Sequence, residues 1–257
     1  MGDMMNEENS MNLDDRIGQQ TILYGYIAIS AATNRLSHNF NKALKEENMD
    51  GMMIPMNIRE DDFYFTLSNM KKSHVNGSML GLEYQKDILD LLDSSSMMVK
   101  KCGGCDFVKR AGQTLHGEFI SGNVVKEFID SDKSIKKIAI IGDKPLAKAL
   151  AILLDGYEVA YYDQQIEALL SMSKVLDLNI DINFLSPNSV DFSDFDLLID
   201  TTLEDISAFI TKGAKMNLDL KDSKTFSSLK HLSGYIGFDN LLDFYTLHLI
   251  EDLKNGR

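Results

Sequence analysis

The sequence predicts an α/β protein in which a small mixed α/β domain is followed by a domain built on a parallel sheet. Three observations carry that expectation. Residues 136–142, KKIAIIG, form a short unbroken apolar run, as expected of a central parallel strand buried on both faces. The run leads into PLAKALAILLDG (145–156), where Pro145 suits a first helical turn and Gly156 a helix end. Strand-like and helix-like stretches alternate on both sides of it, the order of an α/β architecture.

The elements follow in order. TILYGYIAI, from Thr21, is rich in β-branched and aromatic residues and reads as a strand ending near Gly25. Residues 33–47 place Leu36, Phe40, Ala43 and Leu44 at a helical period. GMMIPMNI (51–58) reads as a second strand, set at an edge or a bulge by Pro55. REDDFYFTLSNMKK is expected to be a helix with acids in its first turn, which suits the helix dipole. HVNGSMLG reads as a third short strand or turn and YQKDILDLLD as a short amphipathic helix. CDFVKR and GQTLHGEF read as a hairpin around Ala111–Gly112. After the apolar run, YEVAYYD is a strand, QQIEALLSMSKVLDL a helix, INFLS a weak strand and FDLLIDTT a buried strand. That βαβαβ order predicts a Rossmann-like sheet with right-handed crossovers. NLLDFYTLHLIEDLK closes the chain as an amphipathic helix. The expected organisation is a disordered lead-in over 1–18, a small α/β domain over 19–122, a Rossmann-like domain over 123–235 and a C-terminal helix over 236–257.

Composition narrows the function. The 257 residues are 44% hydrophobic and 25% charged, which is ordinary for a globular protein. A net charge of -13 argues against nucleic acid or an anionic membrane as partner, because polyanions are repelled. No apolar run reaches the roughly 18 residues of a membrane helix. The acidic amino terminus, MGDMMNEENSMNLDDR, lacks the layout of a signal peptide, so a cytoplasmic location is expected. Cys102 and Cys105 form a lone C-x-x-C, read as two small buried residues in a turn with Gly103 and Gly104. No metal site is expected. His116 is the one spare acid or base expected to approach a cleft between the domains, while His38 reads as a packing residue. The many methionines read as adaptable core packing.

Several segments carry a more specific signal. They are Gly25 with His38–Asn39, GSMLGLEYQKDILDLLDSSSMMVKKCGGCD (77–106), GEFISG (117–122), Gly142-Asp143-Lys144-Pro145-Leu146, and GFDNLLDF (237–244). In spacing they resemble the motif segments of the shikimate dehydrogenase family, and the resemblance covers nearly all of residues 21–250. It implies a two-domain α/β protein in which 19–122 is the substrate-binding domain, the helix of 236–257 packs back on it, and a substrate cleft lies between the domains. For the family it implies NADP-dependent reduction of 3-dehydroshikimate to shikimate, with a Lys–Asp pair moving the hydroxyl proton.

The residues at those motif positions depart from the family. Its catalytic lysine falls on Gln85 and its partner aspartate on Ser121. Lys86 lies one place away, turned by about 100° on a helix. The carboxylate-binding serines fall on Ala32 and Asn34. Met79 and Gly81 occupy the asparagine and threonine of N-V-T, Asp106 the asparagine of G-A-V-N-T, and Phe119 that of N-T-D-G. Phe244 stands at the substrate glutamine. Of the glycine-rich loop only Gly142 is kept. Lys144 replaces the glycine that lets backbone approach pyrophosphate, and Asp143 would repel phosphates. The NADP-selective N-R-T becomes Asp163-Gln164-Gln165, without the arginine that would hold a 2′-phosphate. Asp163 is placed to bind a ribose diol, as in NAD or S-adenosylmethionine sites, or is a solvated loop acid. Thr202, with Thr201, resembles N-A-T and would line the same crevice.

Proton transfer needs a titratable group in reach of the substrate. Gln85 does not titrate and Ser121 is a poor base. The leading expectation is therefore a binding or regulatory protein that has lost the family reaction, with a small molecule in the interdomain cleft and room for a homodimer. The alternatives are a repurposed enzyme using NAD or S-adenosylmethionine and a divergent shikimate dehydrogenase using NADP(H).

Overall fold

In the computed structural model the described residues are 21–33, 35–187, 190–221 and 227–255. The expected lead-in over 1–18 lies outside them. The first sheet is laid down by β1 (Ile22–Ala28), β2 (Gly51–Asn57), β3 (Val75–Leu80), β4 (Ser94–Ser95), β5 (Phe107–Ala111) and β6 (Thr114–Glu118). Their spatial order is β2-β1-β3-β5-β6-β4. β1 runs parallel to both β2 and β3, whereas β5 is antiparallel to β3 and to β6. Pro55 thus sits on an edge strand, where its missing N–H costs no ladder bond, and the hairpin turns at Gly112, which has φ +60°. β1 does not stop at Gly25 but continues to Ala28, because Tyr26, Ile27 and Ala28 are all buried.

Helix α1 (Leu36–Glu46) buries Leu36, Phe40 and Leu44 at the predicted period. α2 (Glu60–Met70) carries Glu60, Asp61 and Asp62 in its first turn and buries Phe63, Leu67 and Met70. Several elements differ from expectation. YQKDILDLLD is not an α-helix: two short 3-10 turns, Leu82–Tyr84 and Asp87–Leu91, flank Gln85 and Lys86. They follow local anchors, since Tyr84 stacks on Phe63 with ring centroids 4.2 Å apart. The short helix α3 (Met97–Cys102) ends on Gly103 at φ +69°. α4 (Ser121–Ser131), like α3 and β4, is absent from the elements expected of the sequence.

The second sheet takes in β7 (Lys137–Ile141), β8 (Glu158–Asp163), β9 (Asp181–Phe184), β11 (Leu197–Asp200), β13 (Met216–Asp219) and β14 (Tyr235–Gly237). A short ribbon of β10 (Val190–Asp191) and β12 (Ile210–Lys212) stands apart from it. The sheet is parallel throughout, in the order β14-β13-β11-β7-β8-β9. This is the Rossmann-like doubly wound order, whose switch point lies between β7 and β11 and opens a crevice at the C-terminal strand ends. Helices α5 (Pro145–Leu153) and α6 (Ile166–Leu176) make the crossovers.

The final helix α7 (Leu242–Asn255) packs back on α1 and α4. Asp252 pairs with Lys109, and Lys254 with Glu47 at 2.7 Å, tying the end of the chain to the first lobe. One core cluster runs through both lobes, and a second, with Ile141, Phe192 and Leu198, lies within the second lobe. No described helix is long and apolar enough to cross a membrane.

Candidate functional site

A cavity of about 300 Å³ opens between the lobes. The first lobe lines it with Tyr26 and Ala28 at the end of β1, Met79 to Gly81 at the end of β3, and Glu83 and Gln85 on the turns that follow. The second lobe contributes Leu203, Leu220 and Lys221, and the returning segment contributes Phe238 and Tyr245. Ser121, the first residue of α4, completes the wall.

Gln85 is buried, 4% exposed, and its carbonyl accepts the Cys105 N–H at 2.8 Å. The anchors Tyr84 and Ile88 on either side hold this turn in the core. Lys86, next to it, is exposed and does not line the cavity. The register shift that would have brought it inward is absent, because the flanking turns fix which residue faces in.

Asp106 is fully buried behind Ser121. Its two oxygens accept the Ile120 and Ser121 N–H groups, each at 2.7 Å. Those are orphan donors at the start of α4, so Asp106 caps the helix from a distant strand end. Burial pushes the Asp106 carboxyl up to about 6, while hydrogen bonds from the Ser121 side chain and the Ile120 N–H hold it from rising further. The Tyr245 hydroxyl donates to Ser121 Oγ at 2.7 Å. Burial raises the Tyr245 phenol well above its ordinary range, so it stays protonated.

Lys221 is a lysine with almost no exposure, 2%, at the cavity wall. Its ammonium pairs with Asp200 and lies 3.7 Å from Asp219. Burial pushes Asp200 up to about 6 against the opposing pull of the Lys221 ammonium. Both aspartates are committed elsewhere as well. Asp200 accepts the Thr202 N–H at 2.9 Å and hydroxyl at 2.8 Å, and Asp219 accepts the Ser227 hydroxyl at 2.6 Å. A charge taken this far from water is tolerated only when paired and hydrogen-bonded.

Of the residues singled out in the sequence, Gln85, Ser121, Met79 and Gly81 meet in this cavity, with Asp106 directly behind. Ala32 is exposed and outside the lining; its N–H donates to Asn57 Oδ1 at 2.9 Å. Asn34 lies outside the described residues. Phe244 does not reach the cavity: it packs edge-to-face on Phe128, with centroids 6.2 Å apart, and the next residue, Tyr245, faces in. One helical step of about 100° accounts for the difference. His116 is also displaced from expectation. It lies on β6 between Ser94 Oγ at 2.8 Å and Glu118 at 3.0 Å, away from the cavity. Cys102 and Cys105 are buried free thiols, and burial pushes the Cys102 thiol up to about 12.

A separate polar hollow of about 370 Å³ lies at the C-terminal ends of β7 and β8, lined by Asp143, Lys144, Asp163, Thr202 and Glu204 among others. Gly142 turns here at φ +102°, and a Cβ on it would meet Thr201 Oγ1 and Thr202 Cγ2 at 2.8 Å. As a pyrophosphate cradle the hollow does not fit. Asp143, Asp163 and Glu204 present three carboxylates. The one lysine, Lys144, is spent 3.7 Å from Asp143. Pro145 at the first position of α5 removes a backbone donor. Asp163 is raised by burial and by the Asp143 and Glu204 charges, and its Oδ1 accepts the Gln165 N–H at 2.8 Å. Among the described residues no group of His, Cys, Asp and Glu converges as a metal site.

Sequence reasoning missed Tyr245, Lys221 and Glu83. The first was one helical step from the residue chosen. The signal for Lys221 was NLDLK (217–221), two leucines separated by one acid and followed by a lysine.

No protein-family model matches the sequence, and no curated protein matches it. Solved structures do. Shikimate dehydrogenase from Aquifex aeolicus superposes with a TM-score of 0.71 at 18% identity, covering 94% of this chain and 95% of that one. Shikimate 5-dehydrogenase from Thermus thermophilus, solved with NADP(H) and shikimate, gives 0.71 at 15% identity over 92% and 94% of the two chains. The ligand-free 5-ketofructose reductase of a Gluconobacter species gives 0.69 at 16% identity over 93% and 95%. With the two-lobed order of its sheets and the returning last helix, this chain has a shikimate dehydrogenase-like fold.

Proposed function

We propose that this shikimate dehydrogenase-like protein no longer interconverts 3-dehydroshikimate and shikimate with NADP(H), and serves as a binding or regulatory protein through its interdomain cavity. One observation carries the reading. At the two positions where the family resemblance calls for a lysine and an aspartate, the cavity wall holds Gln85 and Ser121, and the neighbouring Lys86 points to solvent. The remaining groups do not replace that pair. The Lys221 ammonium is held between two aspartates and has no lone pair to accept a proton. Tyr245 stays protonated, and Asp106 is separated from the cavity by Ser121. The acidic hollow at β7 and β8 supports the same conclusion, since it repels a pyrophosphate.

Incubating the purified chain with shikimate and NADP, or NAD, and following absorbance of the reduced nicotinamide tests the reading. No reduction above the protein-free control is expected, and neither dinucleotide is expected to raise the melting temperature, as a ligand of the folded state must. Enzyme-dependent NADPH formation would overturn it.

A second reading rests on Asp163, at the end of β8 with one carboxylate oxygen free of the Gln165 bond. There an adenosine-containing ligand without phosphates, such as S-adenosylmethionine, would set its ribose diol on that oxygen, and its positive charge would suit the carboxylates around it. A rise in melting temperature with S-adenosylmethionine alone would favour this reading.

A further inference from the structure

The hydroxyl chain at the cavity wall has a direction. Asp106, ionised at neutral pH, only accepts, and two backbone donors converge on it, the Ile120 and Ser121 N–H groups. Tyr245 donates its own proton to Ser121 Oγ at 2.7 Å. The Tyr245 proton is consumed within the wall, so what Tyr245 offers to a molecule in the cavity is oxygen lone pairs, and Ser121 Oγ beside it keeps a second acceptor position.

The charges around the cavity point the same way. Glu83 lines it, with one carboxylate oxygen accepting the Ile29 N–H at 2.6 Å. Lys221 is the one cation among the described lining residues, and Asp200 and Asp219 more than neutralise it. With Asp106 behind Ser121, four carboxylates surround one ammonium. The serines that would hold a carboxylate in the resembled family fall on Ala32, outside the cavity, and on Asn34. The rest of the wall is uncharged: Tyr26, Ser30 and Gln85 are its neutral polar groups, and Met79, Leu80, Leu203, Leu220 and Phe238 give it an apolar face.

We propose that the interdomain cavity binds a small organic ammonium, a protonated primary or secondary amine on an apolar body, whose N–H groups donate to Tyr245 Oη and Ser121 Oγ. The inference rests on the reading above that the cavity is a ligand site rather than a dehydrogenase centre. It goes further in fixing the ligand's charge, which is opposite to that of shikimate. A cation that replaces its hydration with two oriented oxygens and a net negative surround loses little on entry. An anion meets lone pairs and carboxylates and is rejected.

The test uses the full chain and three probes that share a saturated six-membered ring: cyclohexylamine, cyclohexanol and cyclohexanecarboxylate, compared at pH 7.5 by ligand-observed saturation-transfer NMR and titration. The amine is expected to bind roughly tenfold or more tighter than the alcohol, as a charge-assisted hydrogen bond allows, with no saturation transfer to the carboxylate. Tyr245→Phe, which deletes the acceptor and keeps the ring, is expected to weaken the amine by a similar factor, and Glu83→Gln to weaken it less. The carboxylate or the alcohol binding as well as the amine overturns the proposal, as does failure of all three to bind the wild-type chain. The comparison among probes on wild-type protein does not depend on how any variant folds. These outcomes are independent of the nicotinamide assay. NADPH formation from shikimate would sink the loss of dehydrogenation, whereas a carboxylate preference without turnover would sink only the ammonium.

Discussion

The two hollows of this molecule handle charge in opposite ways. In the interdomain cavity the buried polar groups are paired before a ligand arrives: Lys221 between Asp200 and Asp219, and Tyr245 on Ser121 in front of Asp106. At the β7–β8 edge, Asp143, Asp163 and Glu204 share one hollow, with Lys144 as the one lysine in its lining. The first arrangement is built into the core and contributes to folding. The second is a surface feature whose charges water can screen. Burial decides how much each group matters, because a pair removed from solvent leaves an uncompensated charge when one partner is lost.

That contrast is open to measurement. The largest effect is expected from Lys221→Ala, which leaves Asp200 and Asp219 facing each other in the core. Urea denaturation should show a loss of roughly 3–5 kcal/mol, the range for a broken buried pair. A loss under about 1 kcal/mol would mean that water reaches the pair and that the two hollows are not so different. Asp106→Ala should come next, at about 2 kcal/mol, since it uncaps α4 and strands two buried N–H groups. Far-UV circular dichroism should show the helix retained in that variant.

The pH dependence is smaller and has a definite sign. Asp106 and Asp200, both raised to about 6 from an ordinary 3.8, are ionised at pH 7.5 in the folded and the unfolded chain alike. As pH falls through about 6, the folded chain takes up protons that the unfolded carboxylates do not yet bind, so stability rises and levels off near pH 4. Below that, Asp196, held down to about 2 chiefly by its hydrogen bond to Lys215, must protonate and its contribution is lost. Melting curves should therefore show a midpoint higher at pH 5 than at pH 7.5 by roughly 3 °C or more. A midpoint that falls over that interval would count against buried ionised carboxylates. The smallest effect is expected at the other hollow. Lys144→Ala removes a partly exposed pair and should change stability by less than about 1 kcal/mol in the same urea experiment.

Much of the architecture was legible in the chain. KKIAIIG, YEVAYYD and FDLLIDTT became β7, β8 and β11 because continuous apolar runs have nowhere to go but the middle of a parallel sheet. The periods of α1, α2, α5 and α6 were equally direct. The reading failed where local anchors overruled periodicity. YQKDILDLLD has helical spacing, yet Tyr84 on Phe63 and the Gln85 carbonyl on Cys105 break it into 3-10 turns. It failed again at α4. SGNVVKEFI places Val124, Val125, Phe128 and Ile129 on one face, but its start has no capping side chain of its own. The cap comes from Asp106, on the far side of a hairpin. At the site, Gln85 and Ser121 were singled out through the family resemblance, whereas Tyr245 was missed by a single helical step and Lys221 follows a strand that the reading of the sequence had not marked.

Sequence by itself determined which groups are present: an α/β order with a parallel core, a non-titrating residue at each position where the family resemblance places its proton-transfer pair, and a loop with one glycine before α5. Tertiary structure decided which of them face the cavity and in which state. The 3-10 turns set Gln85 inward and Lys86 outward, and the return of α7 put Tyr245 rather than Phe244 against Ser121. Burial, a property of the packed whole, keeps Tyr245 protonated and draws Asp106 and Asp200 toward neutrality. Desolvation and hydrogen-bond direction depend on neighbours far away in the chain, which is why no local stretch of sequence contains them.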